Sequence, residues 1–81
     1  MKLMGYERAD FTAADGTKVC GSNIYVAHEV LANKGKGMAV ERYYMTDAKL
    51  TKYGIDLAGM FGKNVTVLFN RYGKAEQIVL V

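Results

Sequence analysis

The closing stretch VTVLFNRYGKAEQIVLV (residues 65–81) decides the predicted fold class. Its two flanks, Val65–Phe69 and Ile78–Val81, are rich in β-branched, aromatic and large aliphatic residues in runs of strand length. Between them lies Gly73, and glycine adopts the positive φ of a tight reversal without steric cost. The stretch therefore predicts a β-hairpin. Its tip carries two cations and one aromatic ring: Arg71, Tyr72 and Lys74.

Three earlier segments are also predicted to be strands. Tyr6–Thr12 leads into an Asp-Gly pair, which is a strong hairpin signal. Thr17–Leu31 forms a long second strand, with a bulge or bend predicted at Gly21–Asn23. A glycine-bearing turn at Asn33–Gly37 leads to a third strand over Met38–Met45. The three strands are predicted to form an antiparallel meander.

A short helix is predicted between the meander and the closing hairpin. Thr46 offers an N-cap, and Asp47 places a favourable charge at the start of the helix. Leu50, Tyr53 and Leu57 recur at helical spacing, while Gly54 is expected to end the first helical piece. Tyr53 and Phe61 are predicted to lie in the core, as are Phe11 and Phe69.

The predicted order is β-β-β-α-β-β in a single all-β domain over residues 1–81. This is the order of the OB-fold, a small five-stranded β-barrel that commonly binds oligonucleotides. An SH3-like barrel is the main alternative, since it also packs five short strands into a similar length. The OB-fold is favoured because the longest non-strand segment, Asp47–Gly62, lies where an OB-fold carries its helix.

Composition narrows the classes of function. A chain of 81 residues buries only about 60% of its unfolded surface, so a thin core and a homodimer are expected. The net charge of +3 favours an anionic partner. The sequence has no apolar run long enough to predict a membrane span or a signal peptide. The single cysteine fits a reducing, cytoplasmic location.

The sequence does not predict an enzyme, a metal site or a cofactor. His28 and Glu29 are neighbours on a predicted strand, so their side chains point to opposite faces and form no dyad. One histidine and one cysteine make no zinc cluster, and the acidic residues are scattered. Cys20 is expected to be buried and unreactive.

Aromatic and basic residues alternate along the chain. Single-stranded nucleic acid is held by rings that stack on bases, worth ~1–3 kcal/mol each, and by cations that neutralise phosphates. We therefore predict a non-catalytic protein that binds single-stranded DNA, or RNA, without sequence specificity. The candidate contacts are Lys18, Tyr25, Lys34, Lys36, Arg42, Tyr44, Arg71, Tyr72 and Lys74.

Short matches resemble a known family. Asp10-Phe11-Thr12, then Gly21-Ser22-Asn23-Ile24-Tyr25, then Tyr72-Gly73-Lys74 with Ile78-Val79-Leu80-Val81 resemble the gene V type helix-destabilising proteins of filamentous phages. The resemblance implies a dimeric OB-fold that coats single-stranded DNA, and a phage or other mobile element as a natural source.

Residue by residue, the resemblance implies a protruding wing at the Asp15-Gly16 hairpin. It implies that Lys18 contacts phosphate, that Tyr25 stacks on a base, and that Arg71–Lys74 lies near the DNA groove. The wing departs from the family pattern, because Ala13, Ala14 and Asp15 stand where the family is basic. Affinity is therefore expected to be lower, or to depend more on Lys34, Lys36 and Arg42.

Two other functions remain open from the sequence. The strand Ile78–Val81 is apolar on both faces, so one of its faces is predicted to meet a second copy of the chain. The same strand would serve a small β-barrel that acts as a protein-interaction or assembly module. An SH3-like RNA binder would share the cations and rings.

Overall fold

The computed structural model describes all residues from 1 to 81 and shows a mostly β chain, with about half of the residues in strands. The all-β class predicted from the sequence is confirmed. Seven strands and two short helices follow along the chain. The strands are β1 (Lys2–Arg8), β2 (Phe11–Thr12), β3 (Lys18–Val19), β4 (Gly21–Glu29), β5 (Met38–Thr46), β6 (Val65–Phe69) and β7 (Ala75–Leu80), and the helices are α1 (Asp47–Lys52) and α2 (Leu57–Met60).

The main sheet has three antiparallel strands in the order β1-β4-β5. Directly opposite residues share a face of the sheet, so the register assigns every side chain to one of two faces. Leu3, Val26 and Ile24 lie on the inner face, where Ile24 stands opposite Tyr43. Tyr25 lies on the outer face, opposite Arg42.

The remaining strands form two separate hairpins, β2-β3 and β6-β7. The three sheets are open and do not close into a continuous barrel. The hydrophobic core lies between the inner face of the main sheet and the β6-β7 hairpin, with one residue from α2. It contains Leu3, Ile24, Val26, Met45, Leu57, Val65, Val67, Ala75 and Ile78.

Two predicted strands are divided, which is why the chain has seven strands and not five. The first strand begins at Lys2, earlier than expected, and stops after Arg8. There the Arg8 guanidinium donates to Asp10 and Asp47, and the Asp10 carboxylate accepts a hydrogen bond from the Gly21 amide at 3.3 Å. The long second strand is interrupted at Cys20, which is exposed and not buried.

Gly21 marks a close approach between strands and not the predicted bulge. Gly21 pairs with β5, and Ser22 and Asn23 pair regularly with both neighbouring strands, whereas the β-bulge lies in β1 between Leu3 and Gly5. A Cβ atom at Gly21 would lie 2.5 Å from the Met45 carbonyl oxygen and 2.6 Å from the Tyr44 hydroxyl. Glycine is therefore required here for space.

The helical segment begins and breaks as the sequence predicts. The Thr46 hydroxyl accepts a hydrogen bond from the Lys49 amide at 3.3 Å, which makes Thr46 the N-cap of α1. Gly54 follows α1 with a φ of 61°, a conformation that favours glycine. The predicted core positions of Phe11, Phe61 and Phe69 are wrong, because all three rings are exposed.

Candidate nucleic-acid interface

The outer face of the main sheet carries two predicted stacking rings and one predicted cation. Tyr25, on the central strand, is directly opposite Arg42 on β5. Tyr44 lies two residues further along β5, opposite Asn23, and therefore on the same face. Both rings are partly buried, so each is held by the sheet and still reaches the surface.

Phe11 is a surface ring that the sequence reasoning missed. Its side chain is 51% exposed, and its ring centroid lies 5.6 Å from that of Tyr44 at an interplanar angle of 55°. The Tyr44 hydroxyl donates to the Ala9 carbonyl at 2.9 Å, which fixes the pair of rings beside the β2-β3 hairpin. The polar neighbours Asp10 and Thr12 were the available signal, since an isolated apolar residue between polar ones does not predict a core strand.

A groove of about 390 Å³ lies between β5 and the closing hairpin. It joins three of the predicted contacts, Arg42, Tyr44 and Lys74, although Lys74 is distant from the other two in sequence. The groove is lined by Arg42, Tyr43, Tyr44, Gly73, Lys74 and Ala75. Cations and a ring thus meet in one concave surface.

Asn70–Lys74, the near turn, is held by one asparagine side chain. The Asn70 carboxamide oxygen accepts hydrogen bonds from the backbone amides of Tyr72 and Lys74, at 2.9 Å and 3.1 Å. Gly73 takes a φ of 76°, as the predicted hairpin requires. The Tyr72 ring is 72% exposed, and the Arg71 guanidinium lies 5.0 Å from its centroid, close enough for a cation–π contact.

Lys18 stands at the edge of a second, smaller cavity of about 220 Å³. The cavity is lined by residues of the β2-β3 hairpin and its flanks: Asp10, Phe11, Thr12, Lys18, Val19 and Cys20. Phe11 of this cavity contacts Tyr44 of the groove, so the two depressions are connected through that pair of rings. Lys18 therefore lines a cavity next to the ring-bearing surface.

Lys34 and Lys36 are not brought into this surface. Both lie in Asn33–Gly37, the far turn, at the end of the long β4-β5 hairpin. Arg42 lies six positions after Lys36 along nearly extended chain, or about 20 Å away. Lys36 lines a shallow depression that also contains Glu29, so an acidic residue accompanies it.

Charge is distributed unevenly between the β1 side and the β5 side of the main sheet. On the β1 side, Glu7 accepts a hydrogen bond from the Tyr25 hydroxyl at 2.6 Å, and this bond raises the pKa of Tyr25. Arg8 is bound by two carboxylates, which raise its pKa and compensate its charge. The cations without an ion-pair partner near the groove are on the other side: Arg42, Arg71 and Lys74.

Comparison with known proteins identifies no relative of this chain. No protein-family model matches the chain, and neither a curated protein nor a solved structure matches it. Both helices are far too short to span a bilayer. No three His, Cys, Asp or Glu side chains are grouped as ligands for a metal ion.

Proposed function

We propose that this protein binds single-stranded DNA without sequence specificity, by stacking tyrosine rings on bases and by pairing Lys and Arg with phosphates. The groove that joins Arg42, Tyr44 and Lys74 carries the proposal. A ring supplies sequence-tolerant stacking, since every base has a π-face, and two unpaired cations supply attraction to the backbone. In this proposal the protein is a binding protein and not an enzyme.

The distribution of charge orients the bound strand on the surface, with its phosphates on one side and its bases on the other. Phosphates follow the β5 side, where Arg42 and Lys74 have no carboxylate partner. Bases point towards Tyr25 and Tyr44, because the Glu7 carboxylate beside Tyr25 repels phosphate. Single-stranded DNA suits this layout because its bases are free to turn away from the backbone.

The strand edges support an open form of the OB-fold as part of the proposal. The free edge of β1 meets the start of β6, where the Leu3 amide donates to the Lys63 carbonyl at 3.1 Å and the Val65 amide donates to the Met1 carbonyl at 2.7 Å. On the other side, β5 and β7 lie next to each other with the groove between them. An OB barrel is itself partly open. We extend the proposal to a homodimer of the gene V type that the sequence resembles.

Titration of tyrosine fluorescence with oligo-dT tests the proposal without a label, because the chain contains no tryptophan. Binding should quench the signal with a defined stoichiometry. Arg42→Ala should flatten the slope of log affinity against log salt by about 0.7, the value for one phosphate contact on a single strand. Lys63→Ala is the matched control, since Lys63 is an exposed cation beyond the opposite edge of the sheet.

Three outcomes separate the candidate functions. Quenching by oligo-dT with an Arg42-dependent salt slope supports the proposal, and stronger quenching by oligo-U would assign RNA as the preferred strand. No quenching and no gel shift at low salt would overturn it. A protein-interaction module would then be favoured by the exposed apolar side chains Leu31, Met38 and Val40 on the β4-β5 hairpin.

A further inference from the structure

The cavity beside the β2-β3 hairpin, of about 220 Å³, lies next to the groove and is separate from it. At roughly 30 Å³ for each water molecule, its volume corresponds to about seven waters, which is room for the single ring of a pyrimidine base. One wall is apolar, because Phe11 and Val19 stand opposite each other in the hairpin. The Phe11 side chain is 51% exposed, so part of its ring is open to a ligand.

Hydrogen bonds hold the hairpin against the end of the main sheet. The Ala9 amide donates to the Gly21 carbonyl at 3.0 Å, and the Tyr44 hydroxyl donates to the Ala9 carbonyl at 2.9 Å. At the other end of the hairpin, the Ala13 amide donates to the Thr17 carbonyl at 2.7 Å. The cavity is therefore formed before any ligand arrives, which lowers the ordering cost of binding.

The charge of the lining favours a neutral group over a phosphate. Asp10 lines the cavity, and its Oδ1 atom accepts hydrogen bonds from Arg8 and from the Gly21 amide, which leaves Oδ2 free. The Arg8 guanidinium is shared with Asp47, so two carboxylates surround one cation. A carboxylate repels phosphate but accepts the N–H groups on the edge of a base. The groove has the opposite character, since its lining holds two cations and no carboxylate.

We propose that this cavity is a second base-binding subsite, in which the Phe11 ring stacks on one base of the bound strand. The inference rests on the proposed function, because the base belongs to the strand that the groove holds. The centroids of the Phe11 and Tyr44 rings are 5.6 Å apart, so a strand with one base on Tyr44 has a following base within reach of Phe11. Stacking on both rings is tolerant of sequence, since every base has a π-face.

Lys18 is the cation that serves this subsite. It makes no ion pair and stands opposite Thr12, one position from the pair formed by Phe11 and Val19. Neighbouring side chains of a strand point to opposite faces, so Lys18 extends past the apolar wall and not onto it. A base against Phe11 leaves its phosphate to Lys18, while the Asp10 carboxylate keeps that phosphate out of the cavity.

Protection of Cys20 tests whether the strand fills the cavity. Cys20 lines the cavity, is exposed and is the only cysteine of the chain. Oligo-dT of about six nucleotides, with about 90% of the protein bound, should slow the modification of Cys20 by N-ethylmaleimide about tenfold, because only the free protein reacts. The reagent is uncharged, so the charge of the bound DNA does not repel it. Asn33→Cys in a Cys20→Ser background is the matched control, and its thiol in the far turn should react equally fast with and without the oligonucleotide.

Ring substitutions test the stacking separately. Phe11→Ala should weaken oligo-dT binding about 5- to 150-fold and leave the salt slope unchanged, while Phe11→Tyr, which keeps a ring, should bind like the parent. Phe61→Ala is the matched control, because Phe61 is 58% exposed and lines neither the cavity nor the groove. Lys18→Ala should flatten the salt slope by about 0.7, the value for one phosphate contact on a single strand.

The outcomes separate this inference from the proposed function. Quenching by oligo-dT with an unprotected Cys20 would overturn the subsite and leave binding at the groove intact. Equal losses of affinity for Phe11→Ala and Phe61→Ala would also overturn it, because the Phe11 ring would then have no special role. No quenching at all would overturn the proposed function and the subsite together.

Discussion

The near turn and the far turn have similar local sequences and different surroundings. Both begin with asparagine, contain glycine and carry two cations. In the near turn the Asn70 side chain accepts two backbone hydrogen bonds, and Lys74 lines the groove with Arg42. In the far turn the Asn33 side chain accepts none, and both lysines are at the end of a long hairpin.

The difference shows that a basic glycine turn becomes a binding element only through its neighbours. The near turn is closed by the Asn70 hydrogen bonds and lies beside a second strand that supplies a cation and a ring. The far turn has its own cations and no ring, since its only large apolar neighbours are the aliphatic residues Leu31 and Met38. Equivalent substitutions in the two turns should therefore have unequal effects on DNA binding and on stability.

The largest difference is expected for the exposed ring of the near turn. Tyr72→Ala should weaken oligo-dT binding by roughly 1–3 kcal/mol, or about 5- to 150-fold, without changing the salt slope, because stacking releases no counterions. Leu31→Ala, which removes an exposed apolar side chain beside the far turn, should bind like the parent. Equal losses in fluorescence titrations would remove the distinction between the turns.

Asparagine at the start of each turn provides a second contrast. Asn70→Ala removes an acceptor shared by two backbone amides and should lower the free energy of unfolding by about 1 kcal/mol. Asn33→Ala should change it by less than about 0.5 kcal/mol, since that side chain makes no hydrogen bond. Urea denaturation of both variants and the parent measures the difference, and a similar loss in both would show that the near turn is not specifically held by Asn70.

Lys74 and Lys36 should differ in the length of DNA that is needed for each of them to contact a phosphate. With an oligonucleotide of about six nucleotides, Lys74→Ala should flatten the salt slope by about 0.7, and Lys36→Ala should leave it unchanged. The reason is the roughly 20 Å between the far turn and Arg42. If Lys36→Ala flattens the slope on the short strand, the DNA path crosses the far turn instead.

The smallest effect is expected at acid pH, at the base of the near turn. Lys49 pairs with Glu76 at 3.0 Å, and the Tyr53 hydroxyl donates to the same carboxylate at 3.0 Å. Both contacts lower the pKa of Glu76 from its ordinary value of 4.5, and the contact with Lys49 has the larger effect. A depressed carboxylate pKa adds stability above pH 4.5 that is lost as the pH falls through the folded-state value.

Glu76→Gln should therefore remove part of the acid loss of stability in thermal unfolding measured between pH 7 and pH 3. Glu29→Gln is the control, because the Glu29 carboxylate is exposed and makes no ion pair. A parent-like acid profile for Glu76→Gln would mean that the hairpin is not anchored through this residue.

Local signals in the sequence predicted most of the secondary structure. Four features depend only on neighbours within a few residues and could therefore be predicted from the sequence: the Thr46 cap, the Gly54 break, the third strand and the closing hairpin. The breaks at Asp10 and Cys20 were not. They depend on hydrogen bonds from Arg8 to Asp47 and from Asp47 to Cys20, between residues far apart in sequence.

The candidate site was predicted in part for the same reason. Residue types that stack on bases or attract phosphate can be read from the chain, and Arg42, Tyr44 and Lys74 were named on that basis. That these three share a groove, while Lys34 and Lys36 lie apart, follows from how the hairpins pack. Phe11 was missed because its exposure depends on contact with Tyr44, across more than thirty residues of chain.

The sequence by itself determined the all-β class, the turn positions and the supply of rings and cations, because these follow from side-chain shape, backbone freedom and charge. Only the tertiary structure decided which cations are free and which are paired. Arg8 and Arg42 are both strand arginines, yet Arg8 is held between two carboxylates and Arg42 faces an open groove. The physical reason is that charge compensation depends on distances of a few ångströms between side chains, and only the packing of distant segments sets those distances.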